Sequence, residues 1–351
     1  MTEWESRTLD ADGRRVHVKI AGTSGPLVLL CHGFPESWYS WRHQMGPLAD
    51  AGYRAVALDM PGYGRSEKSH DISDYRITEL VAACVGVVHT LGEEQAIIVG
   101  HDWGAPVAWT AAWTRPDVFR AVAGLSVPFG ARGLIGLLDD PFGEIRPSIA
   151  HRAAAGPDLL FYQEYFCLPG DVAAREADAD LRTWLTGILY GLSADVPLPP
   201  EMADVDLTKL SDDAATEYVR AALCVPPGTG LGSVLPQPEK LPAWLTQEDL
   251  DHYVAEFERT GLVGAMNYYR NVELGWELLA EFQGTPLTVP ALFIGGDRDL
   301  ATIWGRNAIE RAGEYVKDLR RSVIFERCGH WIQQEKPAET TRELLEWLRG
   351  L

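Results

Sequence analysis

Short apolar runs separated by stretches of helical periodicity set the pattern of the chain. Leu27–Cys31 (LVLLC), Arg54–Leu58 (RAVAL), Gln95–Val99 (QAIIV), Ala121–Val127 (AVAGLSV) and Pro290–Gly295 (PALFIG) lack polar alternation. Such runs predict strands buried on both faces of a parallel sheet. Arg321–Phe325 (RSVIF) is read as another buried strand. Arg14–Ile20 (RRVHVKI) instead alternates, as a half-buried strand does, after the turn signal Asp12-Gly13. Helical spacing predicts helices ending near Ala51, over Tyr75–Leu91, over Ala105–Trp113 and from Pro337 to about Leu348. Strands alternating with helices define an α/β fold, a mostly parallel sheet with helices on both faces.

After Pro128-Phe129 the pattern changes. From about residue 130 to 282, helical spacing recurs in Asp158–Leu168, Asp171–Leu192, Thr246–Thr260 and Leu262–Phe282, with no convincing buried strand. Thr246 with Asp249 resembles a capping box, although Asp replaces the usual Glu or Gln. Val225–Trp244, rich in proline and glycine, reads as a loop. That loop suggests either a pocket wall or a subunit contact, the latter implying a homodimer. The organisation expected is one α/β core in two parts, 1–129 and 285–351, with a helical cap, 130–284, inserted between them.

Composition narrows the function. A chain of 351 residues, 46% hydrophobic and 23% charged, can bury a sizeable core. A formal net charge of −19 argues against nucleic acid or an anionic membrane surface as partner. Most of that acidity lies in the middle region and reads as a solvated helical surface; a small neutral substrate is indifferent to it. The five cysteines are scattered with no C-x-x-C pair, which suits reduced thiols in a cytoplasmic protein. Met1–Glu5 is acidic and lacks a signal-peptide pattern, and no apolar stretch approaches the length of a membrane span.

The candidate chemistry centres on Gly100-His101-Asp102-Trp103-Gly104, between an apolar strand and an apolar helix. Strand, sharp turn and helix are the context of the nucleophile elbow G-x-S-x-G, with aspartate here in the serine position. A serine attacking a saturated carbon would form an ether, which water does not cleave under mild conditions. A carboxylate forms an ester, whose carbonyl a second step hydrolyses. The elbow therefore points to an electrophilic sp³ carbon, as in an epoxide or an alkyl halide. Asp102, Asp299 and His330 follow the order nucleophile, acid, base, each just past an expected strand. Asp102, with an ordinary pKa near ~4, is already ionised at neutral pH. His330 would activate water against the Asp102 ester, with Asp299 fixing its tautomer. The backbone N–H groups of Trp103 and Phe34 are the expected oxyanion donors. A tight loop aiming the Phe34 N–H inward is expected to need a cis Phe34–Pro35 bond. Gly62-Tyr63-Gly64 lacks the third glycine of a dinucleotide loop, and the histidines lack metal-ligand spacing. We therefore expect no metal and no cofactor.

His32-Gly33-Phe34-Pro35, Gly62-Tyr63-Gly64-Arg65-Ser66 and Gly100–Gly104 resemble the H-G-x-P, G-x-G-x-S and G-x-D-x-G motifs of epoxide hydrolases with the α/β-hydrolase fold. The likeness extends over His32–Arg42, Phe293–Gly296, Thr302–Gly305 and Gly329–Glu335, and is weakest over residues 195–245. It implies addition of water to an epoxide, with two cap tyrosines protonating the leaving alkoxide. The matching positions are Tyr162 and Tyr269; Tyr165 and Tyr268 are their near neighbours. The likeness also favours Asp299 over Asp297 as the acid. Phe34, Pro35, Trp103 and Trp331 adjoin these residues and are expected to line the substrate pocket. Three alternatives remain. A haloalkane or haloacid dehalogenase would share the nucleophile but need N–H donors for halide, a non-catalytic receptor would tolerate decay of the triad, and an esterase would need serine at the elbow.

Overall fold

In the computed structural model, which describes residues 4–351 except 136, 199, 203 and 204, the apolar runs line up in one eight-stranded sheet. The first half of the chain forms β1 (Glu5–Ala11), β2 (Arg14–Ala21), β3 (Leu27–Cys31), α1 (Arg42–Asp50), β4 (Arg54–Leu58), α2 (Ile77–Thr90), β5 (Ala96–His101), α3 (Gly104–Thr114) and β6 (Phe119–Leu125). An inserted segment follows, with α4 (Pro147–Ala155), β7 (Leu160–Phe161), α5 (Tyr162–Phe166), α6 (Val172–Ala179), α7 (Leu181–Gly191), α8 (Asp212–Leu223), β8 (Cys224–Val225), α9 (Gln247–Thr260), α10 (Val263–Arg270) and α11 (Val272–Leu278). The sheet is then completed by β9 (Ala291–Gly296), α12 (Leu300–Trp304), α13 (Arg306–Glu310), β10 (Leu319–Phe325), α14 (Ile332–Glu335) and α15 (Pro337–Leu348).

The strands lie in the order β1-β2-β4-β3-β5-β6-β9-β10, with β5 central. Within this sheet, among the described residues, only the β1/β2 and β2/β4 pairs are antiparallel. Alternation along each strand divides the core into two faces. Leu27 and Leu29 of β3 pack with Leu80 of α2 and Val107 of α3. Val28 and Leu30 face Met45 of α1 and Trp347 of α15. Both faces are thus dry, which is why β3 to β6 read as continuous apolar runs.

Departures from the sequence pattern fall at edges and in the insertion. β1 is mostly exposed, so it carries no apolar signature. It pairs with β2 through Asp12 and Gly13, both at positive φ as the tight two-residue hairpin requires. β10, expected to be buried, is the other edge strand and alternates between exposed and half-buried positions. Residues 130–282 do contain strands: β7 and β8 pair Leu160 with Val225 and Phe161 with Cys224. Two residues each are too short to show a period. α8 lies within the proline-poor stretch before the expected loop and buries only Ala215 and Val219, a stripe too narrow to announce a helix. The capping box at α9 forms: the Thr246 hydroxyl accepts the Asp249 N–H, and the Asp249 carboxylate accepts the Thr246 N–H. Among the described residues, no helix is long and apolar enough to cross a membrane.

The insertion shares one apolar cluster with the core, where Phe34 packs against Phe166, Trp184 and Tyr269, and polar clasps add to it. Asp249 accepts the Tyr39 hydroxyl at 3.0 Å and pairs with Arg42 at 3.1 Å. The Tyr268 hydroxyl donates to the Pro61 carbonyl at 2.8 Å.

Candidate active site

β5 ends at His101 and α3 begins at Gly104, so the chain turns within Asp102 and Trp103. Asp102 takes a φ of +50°, a conformation costly for a side chain with a Cβ and characteristic of a strained elbow. The flanking glycines have a steric reason. A Cβ on Gly100 would collide with the Gly104 carbonyl, and one on Gly104 with the Cys31 carbonyl. Gly33, in the facing loop, leaves the space that the Asp102 carboxylate fills.

The two oxygens of Asp102 have different neighbours. Oδ1 accepts the Phe34 N–H at 2.5 Å. Oδ2 lies 3.3 Å from Nε2 of His330. The Phe34–Pro35 bond is cis, as expected. Among the described residues, the Trp103 N–H makes no hydrogen bond to this carboxylate; it stands ahead of α3, whose N-terminal dipole favours negative charge there.

His330 is held on its other nitrogen. Nδ1 lies 3.0 Å from Oδ1 of Asp299 and 2.9 Å from the Ser126 hydroxyl. Asp299 is fully buried and saturated with donors. Oδ1 also receives the Ala301 N–H at 3.0 Å, while Oδ2 receives the hydroxyls of Ser126 at 2.7 Å and Thr302 at 3.0 Å. Asp297, the other acidic candidate, accepts the Cys328 N–H at 3.2 Å and braces the loop before His330.

These neighbours set the charges. Burial alone would raise Asp102, but the hydrogen bond and charge of His330, with His101 and the Phe34 N–H, hold its carboxyl below the usual range. Asp299 is likewise depressed, because its His330, Ser126 and Ala301 partners outweigh burial. Burial disfavours the His330 imidazolium, yet Asp299 and Asp102 together raise it well above the ordinary histidine value.

A second layer of buried polar groups escaped the sequence reading. Glu36 accepts the Gly33 N–H at 3.0 Å and contacts Nδ1 of His101 at 2.8 Å. Its other oxygen accepts the amides of Gln333 and Gln334 at 3.1 and 3.0 Å. His101 reaches the backbone carbonyl of His330 through Nε2 at 2.7 Å. His32 lies 2.8 Å from the Gly33 carbonyl through Nδ1 and accepts the Met60 N–H at 3.0 Å, so the oxyanion loop is pinned on both sides. The trace of this layer in the sequence is a carboxylate next to Phe34-Pro35 in the His32–Trp38 loop and two glutamines just after His330.

A cavity of about 710 Å³ opens over Asp102 between sheet and insertion. Phe34, Trp103, Tyr162, Tyr269 and His330 line it with Asp102. The rings of Tyr162 and Tyr269 meet edge to face at 5.9 Å. Burial pushes both phenols up, and the Asp102 charge adds to it, so both stay protonated. Gln163 donates to the Tyr162 oxygen at 3.0 Å, another contact the sequence did not disclose. Their neighbours are committed elsewhere: Tyr165 donates to Glu176 at 2.7 Å, and Tyr268 to Pro61. Leu231, Val234, Leu235 and Pro236 bring the proline-rich loop into the cavity wall. Two expected lining residues are not there. Trp331 is fully buried, its indole donating to the Leu189 carbonyl at 2.6 Å. Pro35 belongs to the turn closed by the Glu36 N–H on the Gly33 carbonyl at 3.1 Å, and does not line the cavity.

A central strand, a strained elbow, and an acid and a histidine at the ends of later strands define an α/β hydrolase, and the model of the alpha/beta hydrolase fold matches residues 26–166. The chain is 50% identical over 350 residues to Epoxide hydrolase B of Mycobacterium tuberculosis, covering 98% of each chain. It is 40% identical over 346 residues to Epoxide hydrolase A of the same species, covering 98% of this chain and 97% of the relative. The solved structure of an epoxide hydrolase from an endophytic Streptomyces matches with a TM-score of 0.88 at 46% identity, over 100% of this chain and 96% of that one. The chain belongs to the epoxide hydrolases, enzymes that add water to an epoxide to give a vicinal diol.

Proposed function

We propose that Asp102 attacks an epoxide carbon through Oδ2 while Tyr162 and Tyr269 donate to the departing oxygen. The C–O bond breaks, a phenol proton passes to the alkoxide, and Asp102 becomes an ester. His330 then takes a proton from water as that water attacks the ester carbonyl. The oxyanion forms on Oδ1, against the Phe34 N–H and, as the negative charge draws in its second donor, the Trp103 N–H. Collapse expels the diol as an alkoxide, which takes the proton held by His330, and the second proton of the attacking water leaves the new carboxyl for the phenolate, so that the carboxylate, the imidazole and both phenols are restored. Asp299 keeps His330 in the tautomer with Nδ1 protonated.

The division of Asp102 between the Phe34 N–H on one oxygen and His330 on the other carries this reading. A dehalogenase would need N–H donors where this cavity places the phenols of Tyr162 and Tyr269, both near enough to Asp102 to be raised by its charge. Apart from Asp102 and His330, the charged residues lining the cavity are Arg298 and Glu217 among many aliphatic and aromatic side chains, which supports a neutral, apolar epoxide as substrate. Because β9 pairs directly with β6 across the long excursion, we assign 130–284 to a cap and the flanking parts to the core. The free cysteines support a cytoplasmic setting.

The ester is the test. His330→Gln should gain the mass of one epoxide on the peptide carrying Asp102. A single wild-type turnover in ¹⁸O-water should leave label in the Asp102 carboxylate. Label confined to the diol, with no adduct on the variant, would mean direct attack by water.

A further inference from the structure

Ser126 follows β6 at the point where the chain leaves the sheet for the insertion. It is fully buried and takes a φ of +72°, a conformation glycine adopts at less cost. Its N–H donates to the Ile294 carbonyl at 2.8 Å, fixing it against β9. Its hydroxyl donates to Oδ2 of Asp299 at 2.7 Å. With that hydrogen committed, the Ser126 oxygen is left to accept from Nδ1 of His330 at 2.9 Å. The Nδ1–H is therefore shared between Ser126 and Oδ1 of Asp299 at 3.0 Å. Residues from the ends of β6, β9 and β10 close one ring of hydrogen bonds with no exposed member.

We propose that Ser126 is a positioning residue for the second half-reaction. It accepts from the same imidazole N–H as Asp299 and donates to Asp299, so ring and carboxylate cannot turn independently. The proton stays on Nδ1, and Nε2 is left bare toward water and the ester. When His330 becomes an imidazolium, its positive charge is shared between a carboxylate and a hydroxyl oxygen. The first half-reaction needs only the Asp102 carboxylate and the phenols, so Ser126 does not enter it. This role rests on the reading of His330 as the base.

The test compares Ser126→Ala and Ser126→Gly with wild type and with His330→Gln in rapid-quench single turnovers on an aryl epoxide. Glycine relieves the backbone and alanine does not, while both lack the hydroxyl. Alkylation should stay within about two-fold of wild type in both, and ester hydrolysis should slow about ten-fold, the size of one lost hydrogen bond to a charged group. The ester should accumulate on the Asp102 peptide, and the low-field proton resonance of His330 Nδ1–H should move. A Ser126→Gly enzyme that hydrolyses its ester at the wild-type rate, or variants slowed equally in both steps, would overturn the proposal while leaving His330 as the base. If His330→Gln itself hydrolysed the ester at the wild-type rate, the base assignment would fall and the role of Ser126 with it.

Discussion

Nε2 of His330 stands 3.3 Å from Oδ2 of Asp102, so the proposed base and the proposed nucleophile form an ion pair in the resting enzyme. Each holds the other charged: Asp102 is depressed chiefly by His330 against the opposing effect of burial, and His330 is raised by Asp299 and Asp102 against the same opposition. In the proposed mechanism, alkylation would convert Asp102 into a neutral ester and remove its pull on the imidazole. His330 then gives up its proton more readily, at the stage where a base is required.

Two different acid limbs follow. Alkylation, which needs ionised Asp102, should be flat through the neutral range and fall only below the ordinary carboxylate value of about 4. Ester hydrolysis, which needs neutral His330, should gain rate as pH rises, so its acid limb should lie at a higher pH than that of alkylation. Single turnovers quenched between about pH 5 and about pH 8 read the two rates separately, and a common acid limb would contradict the coupling. Stability follows the same signs. The contributions of Asp102 and Asp299, whose folded values are depressed, are present above about pH 4 and lost as pH falls through those values. That of His330, whose folded value is raised, is full below about 6.5 and lost as pH rises through the folded value.

Tyr162 and Tyr269 meet at 5.9 Å over the same cavity, and both phenols remain protonated. Tyr162→Phe and Tyr269→Phe should each slow alkylation by about ten-fold while leaving ester hydrolysis and the fold intact. If they share the alkoxide, one covers in part for the other, and the double variant should lose about a thousand-fold or more. Stopped-flow traces of the intrinsic tryptophan signal would follow the alkylation step. Wild-type epoxide turnover by the double variant would place the acid elsewhere.

Glu36 accepts from Gly33, His101, Gln333 and Gln334 with no exposed surface on its side chain. Glu36→Gln would set an amide N–H₂ against one of those donors and leave it buried and unsatisfied. We expect a loss of about 3 kcal/mol in unfolding free energy, measured by chemical denaturation. Because Glu36 fixes Gly33, next to the Phe34 N–H, both half-reactions should slow together. A variant as stable as wild type would show the carboxylate to be dispensable.

The sequence by itself determined the parts whose physics is local. Continuous apolar runs announced β3 to β6 and β9, because a parallel sheet covered on both faces admits no polar alternation. The glycines around Asp102 and the loop at His32–Pro35 disclosed the elbow and its facing loop, since close approach there tolerates no Cβ. The edge strands were not legible in the same way: β1 is polar, and β10 is half exposed where burial was expected. Only the tertiary structure decided which phenols face the cavity, because Tyr268 and Tyr269 differ by a single step around one helix and the choice depends on what packs against each side. Packing likewise turned Trp331 away from the cavity and into the insertion. The partners of the histidine were out of reach for a further reason. Ser126 and His330 are 204 positions apart, and Glu36 and Gln334 are 298 apart. No periodicity or motif spans such distances; those contacts exist because strand order, set by burial of the whole sheet, brings their loops to one edge.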